Sequence, residues 1–216
     1  MFGVFIYKVN HDYIPKPIGN PYAPQPSEPS PSTPQGQAEP SANMTTSSQL
    51  AVINTTQGII RMEFFPYAAP NHVKNFINLT DQGFYDGLLF HRIAPGFVIQ
   101  GGDPNTRGDD SDRNVWGQGG PGYTVNAEFN DIPHKRGTVS MARSSDPNSA
   151  GSQFFVVVQD SNFLDKQYTV FGRVVSGMDV VDKIAALQTI GGSGPTSEQP
   201  VDIEQARILS IKIESR

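Results

Sequence analysis

From Leu50 onward the chain is a succession of short apolar runs rich in β-branched and aromatic residues: LAVINT, GIIRMEFF, FHRI, FVIQG, GTVSMA, SQFFVVV and YTVFGRVV. Each has the length of a strand and falls short of an ordinary helix, and PG, DPN and GG sequences mark turns among the later ones. LAVINT and GIIRMEFF are separated by only TQ and read as neighbouring strands across a tight turn. In the C-terminal ARILSIKIES, Leu209, Ile211 and Ile213 alternate with polar residues, which predicts one more, half-buried strand with those three side chains on its inner face.

Two segments depart from this texture. In AAPNHVKNFINLTDQG, Val73, Phe76, Ile77 and Thr80 or Asp81 recur at helical spacing, Pro70 suits the first turn, and Gly83 suits the stop. MDVVDKIAALQ, with Gly177 ahead of it and Gly191 behind, predicts a second helix. Many short strands with two helices, one near each end, predict a mainly β fold: a closed antiparallel barrel capped by the helices.

The opposite texture precedes it. Residues 15–40 hold nine of the chain's 18 prolines and no run of core-forming residues, so ordering them would cost more entropy than their burial returns. SANMTTSS at 41–48 continues the polar stretch, and hydrophobic residues make up only 37% of the whole. The expected division is a disordered Pro/Ser-rich arm over 1–48 and one folded domain over 49–216. The initial MFGVFIYKVN is too short an apolar run for a signal sequence or a membrane span. A cytoplasmic location is expected, or a membrane-tethered or exported one if the N-terminus is incomplete.

Several chemistries are excluded. A net charge of −5 with no block of Lys and Arg argues against a nucleic-acid surface. The absence of cysteine removes disulfides, thiolate nucleophiles and Cys-based metal sites. His11, His72, His91 and His134 form no H-x-x-x-H pair, and there is no G-x-S-x-G elbow or P-loop. GQGGPG at 117–122 matches G-x-G-x-x-G but neither follows a clear strand nor opens a helix, so it reads as a glycine-rich loop. Asp109, Asp110 and Asp112 lack EF-hand spacing and read as a solvated loop. Neither metal nor cofactor is expected.

What remains is an arginine in apolar company. In FHRIAPGFVIQGG, Pro95-Gly96 predicts a turn that pairs FHRI with FVIQG and brings Arg92 near Phe97. Arg92 then either packs on that ring for structural reasons or offers its donors to a ligand in a cleft. GSQFFVVV again sets an amide, Gln153, just before two phenylalanines. Apolar walls with guanidinium and amide groups suit a ligand both polar and uncharged, such as a peptide.

These same residues carry a resemblance. FHRIAPGFVIQGGDP, SMARSSDPNSAGSQFFVVV and FLDKQYTVFGRVVSGMDVVDKI resemble the cyclophilin family of peptidyl-prolyl cis–trans isomerases, in the family's order, from about Leu50 to the C-terminus. GGDPN…GGPGYTVNAEFND is similar to the prokaryotic type of loop. The resemblance implies the eight-stranded barrel and a surface groove for X-Pro peptides. It matches Arg92 to the catalytic arginine and Gln100 to the glutamine that orders that arginine and the substrate carbonyl. Phe97, Val98, Phe155 and Leu164 would wall the proline pocket, and Ala142, Arg143 and Gln153 would line the groove for the preceding residues, Arg143 mainly through its backbone. His91 reads as a packed imidazole.

Three positions depart from the eukaryotic pattern. Phe163 stands where many members have tryptophan, Tyr168 where many have histidine, and Val98 where methionine is frequent. The implied partners are proline-containing peptides and unfolded or folding proteins, and the chain a monomer; cyclosporin-like ligands are a further partner of the family, whose affinity the Phe163 position leaves open. Other readings stay open at this point: a proline-peptide binding or chaperone module with little turnover, and an arm whose own X-Pro bonds feed the groove.

Overall fold

The computed structural model describes residues 49–215 except Asp110 and Pro195; the arm expected over 1–48 lies outside the described residues. Ten elements follow in chain order: β1 (Gln49–Thr55), β2 (Gly58–Phe64), α1 (Pro70–Asp81), β3 (Arg92–Ala94), β4 (Val98–Gly101), β5 (Thr138–Met141), β6 (Phe154–Val157), β7 (Val170–Ser176), α2 (Met178–Ala185) and β8 (Ile208–Ser215). Every apolar run expected to be a strand is one. The strands form one curled antiparallel sheet in the order β3-β4-β6-β5-β7-β2-β1-β8.

The inner face is set by the two-residue period. Ile60, Met62 and Phe64 of β2, Ile93 of β3, Ile99 of β4, Val139 and Met141 of β5, and Phe154 and Val156 of β6 enter one apolar core. Helix α1 adds Val73, Phe76 and Leu79, and α2 adds Val181 and Ile184. Pro70 takes the first turn of α1 as expected. Helix α2 ends at Ala185, so ALQ is not part of it. It starts from Gly177 at φ 91°, where an added Cβ would lie 2.3 Å from the carbonyl oxygen of Ile59. Only glycine meets both demands.

Two expectations are corrected. The sheet is not a closed barrel: β3 pairs only with β4, and β8 only with β1. The two edges meet through a single bridge, Leu89 to Arg207, with the Ile208 amide donating to the Leu88 carbonyl at 2.8 Å. The ladder cannot continue along β3, because the Ile93 amide is already given to the carbonyl of Glu198 at 2.7 Å. In β8, Leu209 does not face inward. The β1–β8 register shifts between Asn54↔Ser210 and Thr55↔Ile208, so Leu209 is the extra residue of a bulge. Ile208 and Ile211 are buried, while Leu209 is 46% exposed.

Candidate active site

Of the predicted site residues, Arg92, Val98, Gln100 and Phe155 lie on the outer face of the sheet. Arg92 of β3 stands opposite Gln100 of β4, Gln100 opposite Phe155 of β6, and Phe155 opposite Ser140 of β5. This cross-strand row alternates with the core row Ile93–Ile99–Val156–Val139. A second outer row, Ala94–Val98–Val157, runs beside it. Loops cover this face as well, so Val98, Gln100 and Phe155 are buried. Burial on both faces explains why FVIQG and FFVVV read as nearly continuous apolar runs.

Arg92 is 17% exposed. Its Nε donates to Oε2 of Glu198 at 2.5 Å, its Nη1 reaches Oε1 of Gln100 at 3.5 Å, and its guanidinium carbon lies 5.8 Å from the Phe97 ring centre. No described residue accepts from Nη2. The expected hairpin and the Arg92–Phe97 contact are both present.

Gln100 is held from behind. Its Nε2 donates to Oε1 of Gln153 at 2.9 Å, and Gln153 Nε2 donates to the Gly119 carbonyl at 2.8 Å. This relay fixes which end of each amide faces which neighbour and leaves the Gln100 oxygen turned to Arg92. It ends in the glycine-rich loop read from GQGGPG. That loop is fixed by buried Asp103, which accepts from the Asn105 amide at 2.8 Å and from the Gly117 amide. Gly119 has no space for a side chain, since a Cβ there would lie 2.1 Å from Oδ1 of Asp103.

Around this polar row the structure brings two sets of residues together. Phe97 stacks on Phe163 with ring centres 5.4 Å apart, and Phe163 is 58% exposed, which leaves an aromatic wall open to solvent. Leu164, in the same short 3-10 turn, is buried. Phe155 meets the edge of Tyr168 at 5.7 Å, and Tyr168 lies beneath the Arg143 guanidinium at 4.7 Å. Tyr168 is therefore a covered residue, with Arg143 above it. Ala142, Arg143 and Gln153 line a cavity of about 400 Å³ together with Gly119, Pro121 and Ser144. Gln153 joins the two sets, since it lines the cavity and holds Gln100.

Behind Phe155, the His134 imidazole stacks at 6.0 Å and contacts Asp165 through Nδ1 (3.0 Å) and Ser140 Oγ through Nε2 (3.2 Å). The order resembles a hydrolytic triad, but Ser140 is fully buried and its hydroxyl donates to the Thr169 carbonyl at 2.8 Å. It supports the pocket wall and has no route to a substrate.

His91 is buried with no hydrogen-bond partner on either ring nitrogen among the described residues. Burial lowers its pKa to about 4; the Asp103 carboxylate opposes the shift and the Arg92 charge adds to it. Burial also lowers His72 and His134, against carboxylates that pull the other way. Between pH 6.5 and about 4 the unfolded chain therefore binds a proton that folded His91 refuses. Stability is complete above that window and falls as the pH drops through it, by about 3 kcal/mol for His91. Urea unfolding at pH 7 and pH 4.5 should show this loss, and His91→Phe should remove a large part of the slope; an equal slope in the variant would contradict the assignment.

Glu198, Gly119 and Asp103 were not among the residues expected at the site. GGD103 lies next to Gln100 in sequence and offered a local signal. Glu198 offered none, being 106 residues from its partner.

Comparison with known proteins agrees with this geometry. The family model described as cyclophilin type peptidyl-prolyl cis-trans isomerase/CLD matches residues 50–208. Peptidyl-prolyl cis-trans isomerase A of Dickeya dadantii is 40% identical over 171 residues, covering 76% of this chain and 86% of that protein. A peptidyl-prolyl cis-trans isomerase of Synechococcus elongatus is 46% identical over 123 residues, covering 57% of this chain and 78% of its own length. The crystal structure of a Cryptosporidium parvum cyclophilin type peptidyl-prolyl cis-trans isomerase, in the presence of the dipeptide Ala-Pro, superposes with a TM-score of 0.67 at 30% identity, over 77% of this chain and 99% of that one.

Proposed function

The chain belongs to the cyclophilin-type peptidyl-prolyl cis–trans isomerases, and from that premise we propose that the row Arg92–Gln100–Phe155 is where it turns X-Pro bonds in peptides and folding proteins. The observation that carries this reading is a half-buried guanidinium whose Nη2 has no acceptor among the described residues, beside the Phe97–Phe163 stack and an amide fixed from behind.

The chemistry follows from the bond itself. An X-Pro bond differs by only about 0.5–1 kcal/mol between its isomers, yet its barrier is roughly 18–20 kcal/mol because amide resonance must be broken. In the twisted state the prolyl nitrogen becomes pyramidal and regains a lone pair. An Nη–H of Arg92 donates to that lone pair, an interaction absent from either planar ground state, so the transition state alone gains. The Gln100 oxygen steadies the guanidinium. Phe97, Val98, Phe155, Phe163 and Leu164 hold the ring and exclude water, so that the preceding carbonyl rotates about a fixed proline. The Ala142–Arg143–Gln153 cavity takes residues before the proline. No proton transfer or covalent intermediate is required.

Exchange NMR on a short Ala-Pro-Phe peptide tests the reading. Catalytic amounts of the protein are expected to bring cis and trans signals into exchange. Binding without exchange would leave a proline-peptide binder on a cyclophilin fold.

A further inference from the structure

The loop that runs over the edge of β3 supplies an acidic partner to the arginine. Its two arms pair through the Thr189–Pro200 bridge and through bonds from the Ile190 amide to the Gln199 carbonyl (3.0 Å) and the Val201 amide to the Gln188 carbonyl (2.9 Å). Arg113 clips it from outside: its Nη1 donates to the Pro200 carbonyl at 2.7 Å, and its own carbonyl accepts from Gln199 Nε2 at 2.8 Å. The Glu198 carbonyl takes the Ile93 amide, so the backbone of Glu198 is anchored independently of its side chain.

The three contacts on Arg92 are unequal. The Gln100 oxygen at 3.5 Å is at the limit of a hydrogen bond, and the Phe97 ring at 5.8 Å restrains position far more than angle. Only the Glu198 carboxylate, at 2.5 Å from Nε, makes a short, charge-assisted bond. An arginine side chain has many rotamers, and a donor aimed at a lone pair that exists only in the twisted amide needs its plane fixed beforehand.

We propose that Glu198 is a positioning residue of the isomerase reaction: by accepting from Nε it fixes the guanidinium plane and leaves Nη2 free for the prolyl nitrogen. This rests on the reading of Arg92 given above. Glu198 is 42% exposed, and an ion pair so open to water contributes little to stability. Its effect is therefore on geometry, and variants should fold as the wild type does.

The test uses the full chain as wild type, Glu198→Ala and Glu198→Gln, with the Ala-Pro-Phe peptide and the NMR signal of the Arg92 Nε–H as separate readouts. Glu198→Ala is expected to lower kcat by up to about a hundredfold with KM nearly unchanged, the size of effect that a misplacement of about 1 Å produces. Its Nε–H signal should move and exchange faster with solvent, while Glu198→Gln, which retains an acceptor oxygen, recovers most of kcat. An active wild type with unchanged kcat in Glu198→Ala, or a loss carried wholly by KM, would overturn the proposal. An inactive wild type would instead remove the isomerase reading, and an unshifted Nε–H signal in Glu198→Ala would then sink the positioning role on its own.

Discussion

Arg92→Ala lowers catalysed X-Pro exchange by roughly ten- to a few-hundred-fold, the worth of one charge-assisted hydrogen bond of about 1.5–3 kcal/mol made only in the transition state. The loss falls on kcat, because Phe97, Phe155 and Phe163, which are proposed to hold the ring, are untouched. The fold is spared, since Arg92 sits on the outer face and its deletion returns the half-exposed Glu198 to water. Arg92→Lys restores little: an ammonium keeps the charge but loses the planar fork that binds Glu198 and Gln100 at once. Exchange NMR at several peptide concentrations separates kcat from KM. A variant within threefold of the wild type would mean that the transition-state donor lies elsewhere.

Phe76→Ala lowers the free energy of unfolding by about 3–5 kcal/mol. Phe76 is fully buried in α1, with ring centres 5.8 Å from Phe64, 4.8 Å from Tyr85, 5.5 Å from Phe154 and 5.4 Å from Phe171. Those rings come from β2, the turn after α1, β6 and β7. Removing the centre of the cluster leaves a cavity that none of these elements can fill alone, because each is tied into the sheet or to its neighbours. Such a loss is a large share of an ordinary domain's stability of about 5–15 kcal/mol. Urea titration is expected to show a lower midpoint at the same slope; a change below about 1 kcal/mol would mean that the cluster collapses around the gap.

Much of this was legible in the sequence because the evidence for it is local. Alternation, β-branching and turn residues identify strands one at a time, and Pro70 with Gly83 brackets α1 almost to the residue. Arg92 and Gln153 stood out because polar groups in apolar runs need a reason, and the likeness of FHRIAPGFVIQGG to cyclophilins supplied one and added Gln100. Non-local facts were not legible. Whether the first and last edges of a sheet join depends on which chain segment reaches the Ile93 amide first, and that segment is a loop with no apolar period. The bulge at Leu209 arises from the partner strand, so alternation within ARILSIKIES could not reveal it. Glu198 meets Arg92 because the loop over β3 is held by the Ile93 amide and by Arg113, contacts invisible at either position alone.

The pairing of β1 has a consequence for biosynthesis. β1 lies between β2 and β8, with Val52 opposite Arg61 on one side and Lys212 on the other. A ribosome releases β1 and β2 early, and they can form a hairpin, but the other edge of β1 stays open until β8 has left the exit tunnel. The full sheet thus closes late, slow to nucleate because the β1–β8 contact joins the first and last of the described strands. During its own synthesis this isomerase must therefore wait with one edge of β1 unpaired.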